Sequence, residues 1–149
     1  MLRSIIAIIV SYVAMFVLFM VLFTGLYFAF GVERVFQPDS YEVSALWLVV
    51  TLIGALLGAM FGGYLCATIS KSWRTCQVFA LIAFLLALVQ CLSDLRSKNP
   101  DAPNVRAGDV PFPDGIKLGV TPLWFHFVNP LVGGIGALLG ARVKRRGDT

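Results

Sequence analysis

The chain has 149 residues, of which 58% are hydrophobic and 13% charged, where an ordinary water-soluble domain carries about 45–50% and about 25%. A single water-exposed core at this length cannot hide that much apolar surface, so part of the solvent must be lipid. One histidine and three cysteines exclude multi-ligand metal clusters and disulfide frameworks.

All the charged side chains fall outside four intervals. Between Arg3 and Glu33 lie 29 uncharged residues, between Glu42 and Lys71 28, between Arg74 and Asp94 19, and between Lys117 and Arg142 24. A helix rises about 1.5 Å per residue and needs about 20 residues to cross a hydrocarbon layer about 30 Å thick, so each interval is long enough to span. Backbone amides in lipid must bond within the segment, and runs this long and continuous do so as helices. The expected fold is an all-α integral membrane four-helix bundle, with helices at about 4–30, 42–70, 73–93 and 122–142. It forms a single domain over 1–149.

In the first span Arg3 precedes an apolar run, as in a secretory signal. The run exceeds the roughly 7–15 residues of a signal core and no small-x-small cleavage pair stands near Gly31, so an uncleaved anchor is expected. The span carries large rings at steps of three and four: Tyr12, Phe16, Phe19, Phe23, Tyr27 and Phe30. The external connection that follows ends in Asp39-Ser-Tyr-Glu42, where acid and acid stand three apart as in a capping box; the second helix should start there.

The second span has small residues in pairs every fourth position: Gly54 and Ala55, Gly58 and Ala59, Gly62 and Gly63, Cys66 and Ala67. Gly54, Gly58 and Gly62 repeat the GxxxG spacing. Lipid is as apolar as leucine, so helices in membranes associate through such close-approach faces, here either closing the bundle itself or docking a partner. Only Lys71 to Arg74 separates the second and third spans, which makes them an antiparallel hairpin. Cys66 and Cys76 should approach each other beside that turn, as a redox pair or as small packing residues.

The segment from about 94 to 121 contains Pro100, Pro103, Pro111 and Pro113 among Asp, Asn and Gly, and reads as an external polar loop. Thr121-Pro122 then offers a hydroxyl cap and a proline at the first helical position. The string Gly-Ala-Leu-Leu-Gly-Ala occurs at Gly54–Ala59 and again at Gly136–Ala141, adding Gly136 and Gly140 to the packing residues. Counted from Lys71 and Arg142, the two copies should lie about a dozen residues apart in depth.

Orientation follows from Lys and Arg. With the N-terminus inside, the cytoplasmic face holds Arg3, Lys71, Arg74, Arg142, Lys144, Arg145 and Arg146 against one acid, Asp148, and the external loops hold seven acids. Both termini should therefore be cytoplasmic. The basic balance reads as topology and as contact with anionic headgroups, and calls for no nucleic acid.

No ionised side chain lies inside any span, which removes the carboxylate, lysine and arginine devices of pumps and proton relays. A layer of uncharged polar groups remains near the external side: Thr51, Gln90, Cys91, His126 and Asn129. Pro130 deprives the His126 carbonyl of its partner, and a bend is expected there. With Trp124, Phe125 and Phe127, these groups describe either interhelical hydrogen bonding or a pocket for a quinone-like carbonyl or other amphiphile, with His126, Asn129, Gln90, Thr51 and Trp124 as its contacts. One histidine cannot supply both axial ligands of a bis-histidine haem, and no cofactor is expected. No nucleophile has a base beside it, so the expectation is a non-enzymatic protein. It would act through helix packing, as an oligomer or as an accessory subunit of a larger complex; the alternative is a binder or carrier of a lipophilic small molecule.

Met-Leu-Arg-Ser before the first span, Asp39 to Val43, Gly62 to Tyr64 and Asn129 to Gly133 resemble small four-span bacterial inner-membrane proteins with no assigned activity. The resemblance implies a bacterial inner membrane. The size also invites comparison with small multidrug exporters, but the first span lacks their carboxylate.

Overall fold

The structure, a computed structural model, describes residues 2–97 and 119–147. It contains α1 (Leu2–Phe30), a single turn α2 (Val32–Val35), α3 (Ala45–Ser70), α4 (Trp73–Ser97) and α5 (Leu123–Arg146). Four of these are long and apolar enough to cross a membrane. The fold is an all-α four-helix bundle, as the charge spacing predicts. Most of the proline-rich segment, residues 98–118, lies outside the described residues.

α3 is the hub, packing against α1, α4 and α5, and α5 also packs against α4. The parallel pair α3 and α5 meets backbone to backbone. A Cβ on Gly63 would overlap the carbonyl of Ala137, and one on Gly140 would overlap that of Met60. A Cβ on Gly136 would stand 2.8 Å from the Leu56 carbonyl oxygen and 3.0 Å from Ala59 Cβ. The second Gly-Ala-Leu-Leu-Gly-Ala copy thus packs against Leu56 to Gly63 of α3, overlapping the first copy in depth, which corrects the expected dozen-residue separation. The reason is that α5 continues beyond Arg142 to Arg146, so its basic run occupies the last helical turn instead of marking the membrane boundary.

The opposite face of α3 receives rings from α1. A Cβ at Gly54 would meet Phe23 Cζ at 3.0 Å, one at Gly58 would meet Phe19 Cζ at 2.8 Å, and one at Gly62 would meet Met15 Sδ at 3.1 Å. Large-into-small packing of this kind closes the bundle through dispersion and close approach. Of the ring stripe expected on the first span, Phe19 and Phe23 fill the groove and Tyr27 is buried, whereas Phe16 is 52% exposed. Large apolar side chains cover the outward faces, including Val13, Val17 and Val21 of α1 and Leu81, Leu85 and Val89 of α4. Such faces are stable only against lipid or another apolar surface.

One end of the bundle is basic. Arg3 Nε donates to the Ile69 carbonyl at 2.7 Å, satisfying a carbonyl in the last turn of α3. Thr75 Oγ1 donates to Ser4 Oγ at 3.2 Å, which ties α4 to α1 at the same end. The guanidinium carbons of Arg142 and Arg145 lie 5.9 and 5.2 Å from the centre of the Trp73 ring. Cys66 and Cys76 are both buried here; Ser70 Oγ donates to the Cys66 carbonyl at 2.7 Å and lies 4.0 Å from Cys76 Sγ.

Three further helix ends differ from the sequence expectation. α3 starts at Ala45, because Ser44 and not Asp39 is the cap: Ser44 Oγ accepts from the Trp47 amide at 3.2 Å. Asp39 instead takes a left-handed conformation with φ 56° after Pro38, in a turn closed by the Ser40 amide on the Gln37 carbonyl at 3.2 Å. Proline second and a left-handed residue third is the pattern of a tight turn, which leaves Asp39 no helix to cap. α4 runs one turn past residue 93, to Ser97. In α5 the cap position is Pro122, with φ −60° and ψ 147°, so Thr121 stands one residue too early to cap and bonds elsewhere. Pro130 is buried inside α5 as its eighth residue, where its missing amide removes one bond of the helical ladder while the helix continues through it.

Candidate functional site: a cavity at the loop end

At the end opposite the basic one, the segment between α1 and α3 pairs with the segment just before α5. Phe36 and Val43 form an antiparallel bridge, and Glu42 and Val120 a parallel one. The Val120 amide donates to the Tyr41 carbonyl at 2.8 Å and the Val43 amide to the Val120 carbonyl at 3.1 Å. Ser44 Oγ also donates to the Arg34 carbonyl at 2.5 Å and its amide to the Val35 carbonyl at 2.8 Å, which fixes α2 over the start of α3. These bonds satisfy backbone groups that the fold would otherwise strand beside an apolar interior.

Beneath this cover is a cavity of about 180 Å³, lined by Tyr27, Val35, Phe36, Val43, Trp47, Leu48, Thr51, Gly119, Thr121 and Phe125. Trp47 is edge-on to Phe23, Tyr27 and Phe30 at centroid distances of 6.2–6.3 Å, so the wall on the α1 side is an aromatic cluster. Three lining residues from different parts of the chain carry hydroxyls: Tyr27 on α1, Thr51 on α3, and Thr121 just before α5. Thr121 Oγ1 is 2.8 Å from His126 Nε2. His126 is 5% exposed, so its ring orients the Thr121 hydroxyl from behind, one turn into the helix.

The sequence-predicted contacts divide. Thr51 lines the cavity, and His126 reaches it through Thr121. Gln90 does not join them: its Nε2 donates to Asp94 Oδ1 at 3.0 Å on the exposed face of α4. Trp124 and Phe127 are about half exposed, at 51% and 50%, and turn outward, while Phe125 is buried at 7% and turns in. Asn129 lies one turn below His126 and is not among the lining residues; its Oδ1 is buried with no hydrogen-bond partner among the described residues. Sequence reading missed Thr121 as a wall residue, along with Val35, Phe36 and Val43, because loop pairing puts them there. The glycines predicted for packing are all accounted for within the chain: Gly54, Gly58 and Gly62 by side chains of α1, and Gly63, Gly136 and Gly140 by the backbone contact of α3 with α5. Among the described residues no three His, Cys, Asp or Glu side chains stand together as a metal site would need.

Four long apolar helices with lipid-compatible outer faces define the class: this is a multi-pass integral membrane protein. Compared with known protein families, curated proteins and solved structures, the chain shows no match.

Proposed function

We propose that the protein is a non-enzymatic binder of a small lipophilic molecule, held in the cavity at the loop end. The cavity itself carries this reading: a largely apolar, aromatic-walled space of about 180 Å³ whose lining includes the hydroxyl-bearing Tyr27, Thr51 and Thr121. An apolar cavity of about 150 Å³ is enough to take up benzene, so this one accommodates a single substituted six-membered ring. Thr51 and Thr121 supply the hydrogen bonds that fix the orientation of a ring carbonyl or hydroxyl, which suits a quinone-like headgroup. Few polar groups in an apolar wall are the usual composition of such sites. The distribution of Lys and Arg supports an orientation with both termini cytoplasmic and the cavity in the outer leaflet.

The test is titration of the detergent-purified protein with a short-chain quinone analogue, followed by tryptophan fluorescence, since Trp47 lines the cavity. Saturable quenching that is weakened in Thr121→Val and His126→Ala is the expected result. Quenching that does not saturate, or that is the same in both variants, contradicts the reading.

A second reading, an oligomer or accessory subunit acting through helix packing, draws on the outward apolar face of α1, where Val13, Val17 and Val21 are 53–68% exposed. The glycine faces offer it no free groove, because the chain's own residues occupy them. Native mass spectrometry from nanodiscs separates the two: a single chain carrying a small lipophilic adduct favours the binder, and a defined multimer or a co-purifying subunit favours assembly.

A further inference from the structure

The basic end contains a second space, a recess of about 530 Å³ bounded by Ala67, Thr68, Lys71, Ser72, Cys76, Lys144 and Arg145. It collects side chains from the end of α3, the turn to α4 and the last turn of α5. Among the described residues that line it, Lys71, Lys144 and Arg145 are cations. Cations gathered around one recess raise the local positive potential, which favours an anion there. Arg145 lies over the Trp73 ring, its guanidinium carbon 5.2 Å from the ring centre, a cation–π contact that restrains it. Lys71 caps α3 in the left-handed conformation, with φ 53° and its amide bonded to the Ala67 carbonyl, a position usually given to glycine. The first turn of α4 begins at the same place, so the positive end of a helix dipole adds to the field.

We propose that this recess binds a phosphate group, with Lys71, Lys144 and Arg145 as its charged partners. Arg145 presents a planar fork to two phosphate oxygens, and the lysines act as point charges on either side. The recess lies at the level where the bundle meets water, so the phosphate of an anionic phospholipid reaches it from the membrane and a soluble phosphate ester from the aqueous phase. This site is independent of the cavity at the loop end.

The test uses the full chain in nanodiscs containing phosphatidylglycerol or phosphatidylcholine, with retained lipid counted by native mass spectrometry. Selective retention of phosphatidylglycerol is expected, reduced about fivefold by Lys71→Gln and by Arg145→Gln, and restored by Lys71→Arg. Arg74 is exposed at the same end but outside the recess, so Arg74→Gln should change retention by less than about twofold. Unchanged thermal midpoints certify that the variants are folded. Displacement by millimolar inorganic phosphate identifies a soluble phosphate as the ligand, and absence of displacement identifies the lipid. Equal losses in Arg74→Gln and the recess variants, or equal retention of the zwitterionic lipid, overturns the proposal.

Discussion

Gly63 of α3 and Ala137 of α5 touch backbone to backbone, with the Ala137 carbonyl in the space a Cβ on Gly63 would need. Gly140 repeats the arrangement against Met60. Neither obstruction is the free end of a flexible side chain, so relief requires the two helices to move apart. Gly63→Ala and Gly140→Ala should each lower stability by about 1–3 kcal/mol. Gly133, on the same helix as Gly140, has nothing within 4 Å of its Cβ position; Gly133→Ala should leave stability unchanged or raise it, as expected from helix propensity. Thermal unfolding in one detergent distinguishes these, and equal effects at the three sites would refute the α3–α5 contact.

The cavity at the loop end is a cost to the empty protein and a benefit to the loaded one. Thr51→Phe places a ring in it. That change should raise the thermal midpoint of the ligand-free protein, because filling a cavity restores lost contacts, and it should abolish saturable quinone binding. Binding that persists in Thr51→Phe would show that the ligand sits elsewhere.

Thr121 and His126 make a different prediction. Their bond is local, joining the residue before the cap of α5 to the first turn of that helix, and such a bond is worth about 0.5–1.5 kcal/mol. Thr121→Val should therefore lower stability by no more than about 1.5 kcal/mol while weakening binding by at least about tenfold, since a site that hydrogen-bonds its ligand discriminates strongly when that group is lost. A large stability loss with normal binding would assign the pair to structure alone.

At the start of α3, Ser44→Ala removes the bond to the Trp47 amide and the tether to the Arg34 carbonyl. A loss of about 1 kcal/mol is expected. Asp39→Asn should cost little, because Asp39 sits in the left-handed position of a turn, which asparagine tolerates equally. A large loss in Asp39→Asn with none in Ser44→Ala would restore the capping box read from the sequence.

The contrast between Gln90 and Thr51 shows what the sequence makes legible. Depth in the membrane follows from counting about 1.5 Å per residue from the nearest charge, and it places both residues near the loop end. Rotation about the helix axis does not follow from such a count. Gln90 shares its face with Asp94, four residues on, and that face is exposed, so the two bond to each other away from the cavity. The four spans were legible because ionised groups are too costly in lipid to interrupt them. The cover over the cavity was not, because Glu42 and Val120 pair across 78 residues of chain through backbone groups that every sequence possesses. The glycine repeats were visible as strings, yet their register depends on how far α5 continues, and the basic run Arg142 to Arg146 resembled a boundary when it is the helix's final turn.

The account rests on lipid surrounding the bundle, and nitroxide labels placed at outward apolar positions test this most directly. Val17 on α1, Leu85 on α4 and Ile135 on α5 are 53%, 48% and 55% exposed, and all belong to the membrane-spanning helices. In reconstituted protein, labels at these three sites should relax strongly with oxygen and weakly with a water-soluble nickel chelate, while a label at Lys71 shows the reverse. Nickel accessibility at Val17, Leu85 and Ile135 equal to that at Lys71 would mean that water reaches these faces, and would contradict the account.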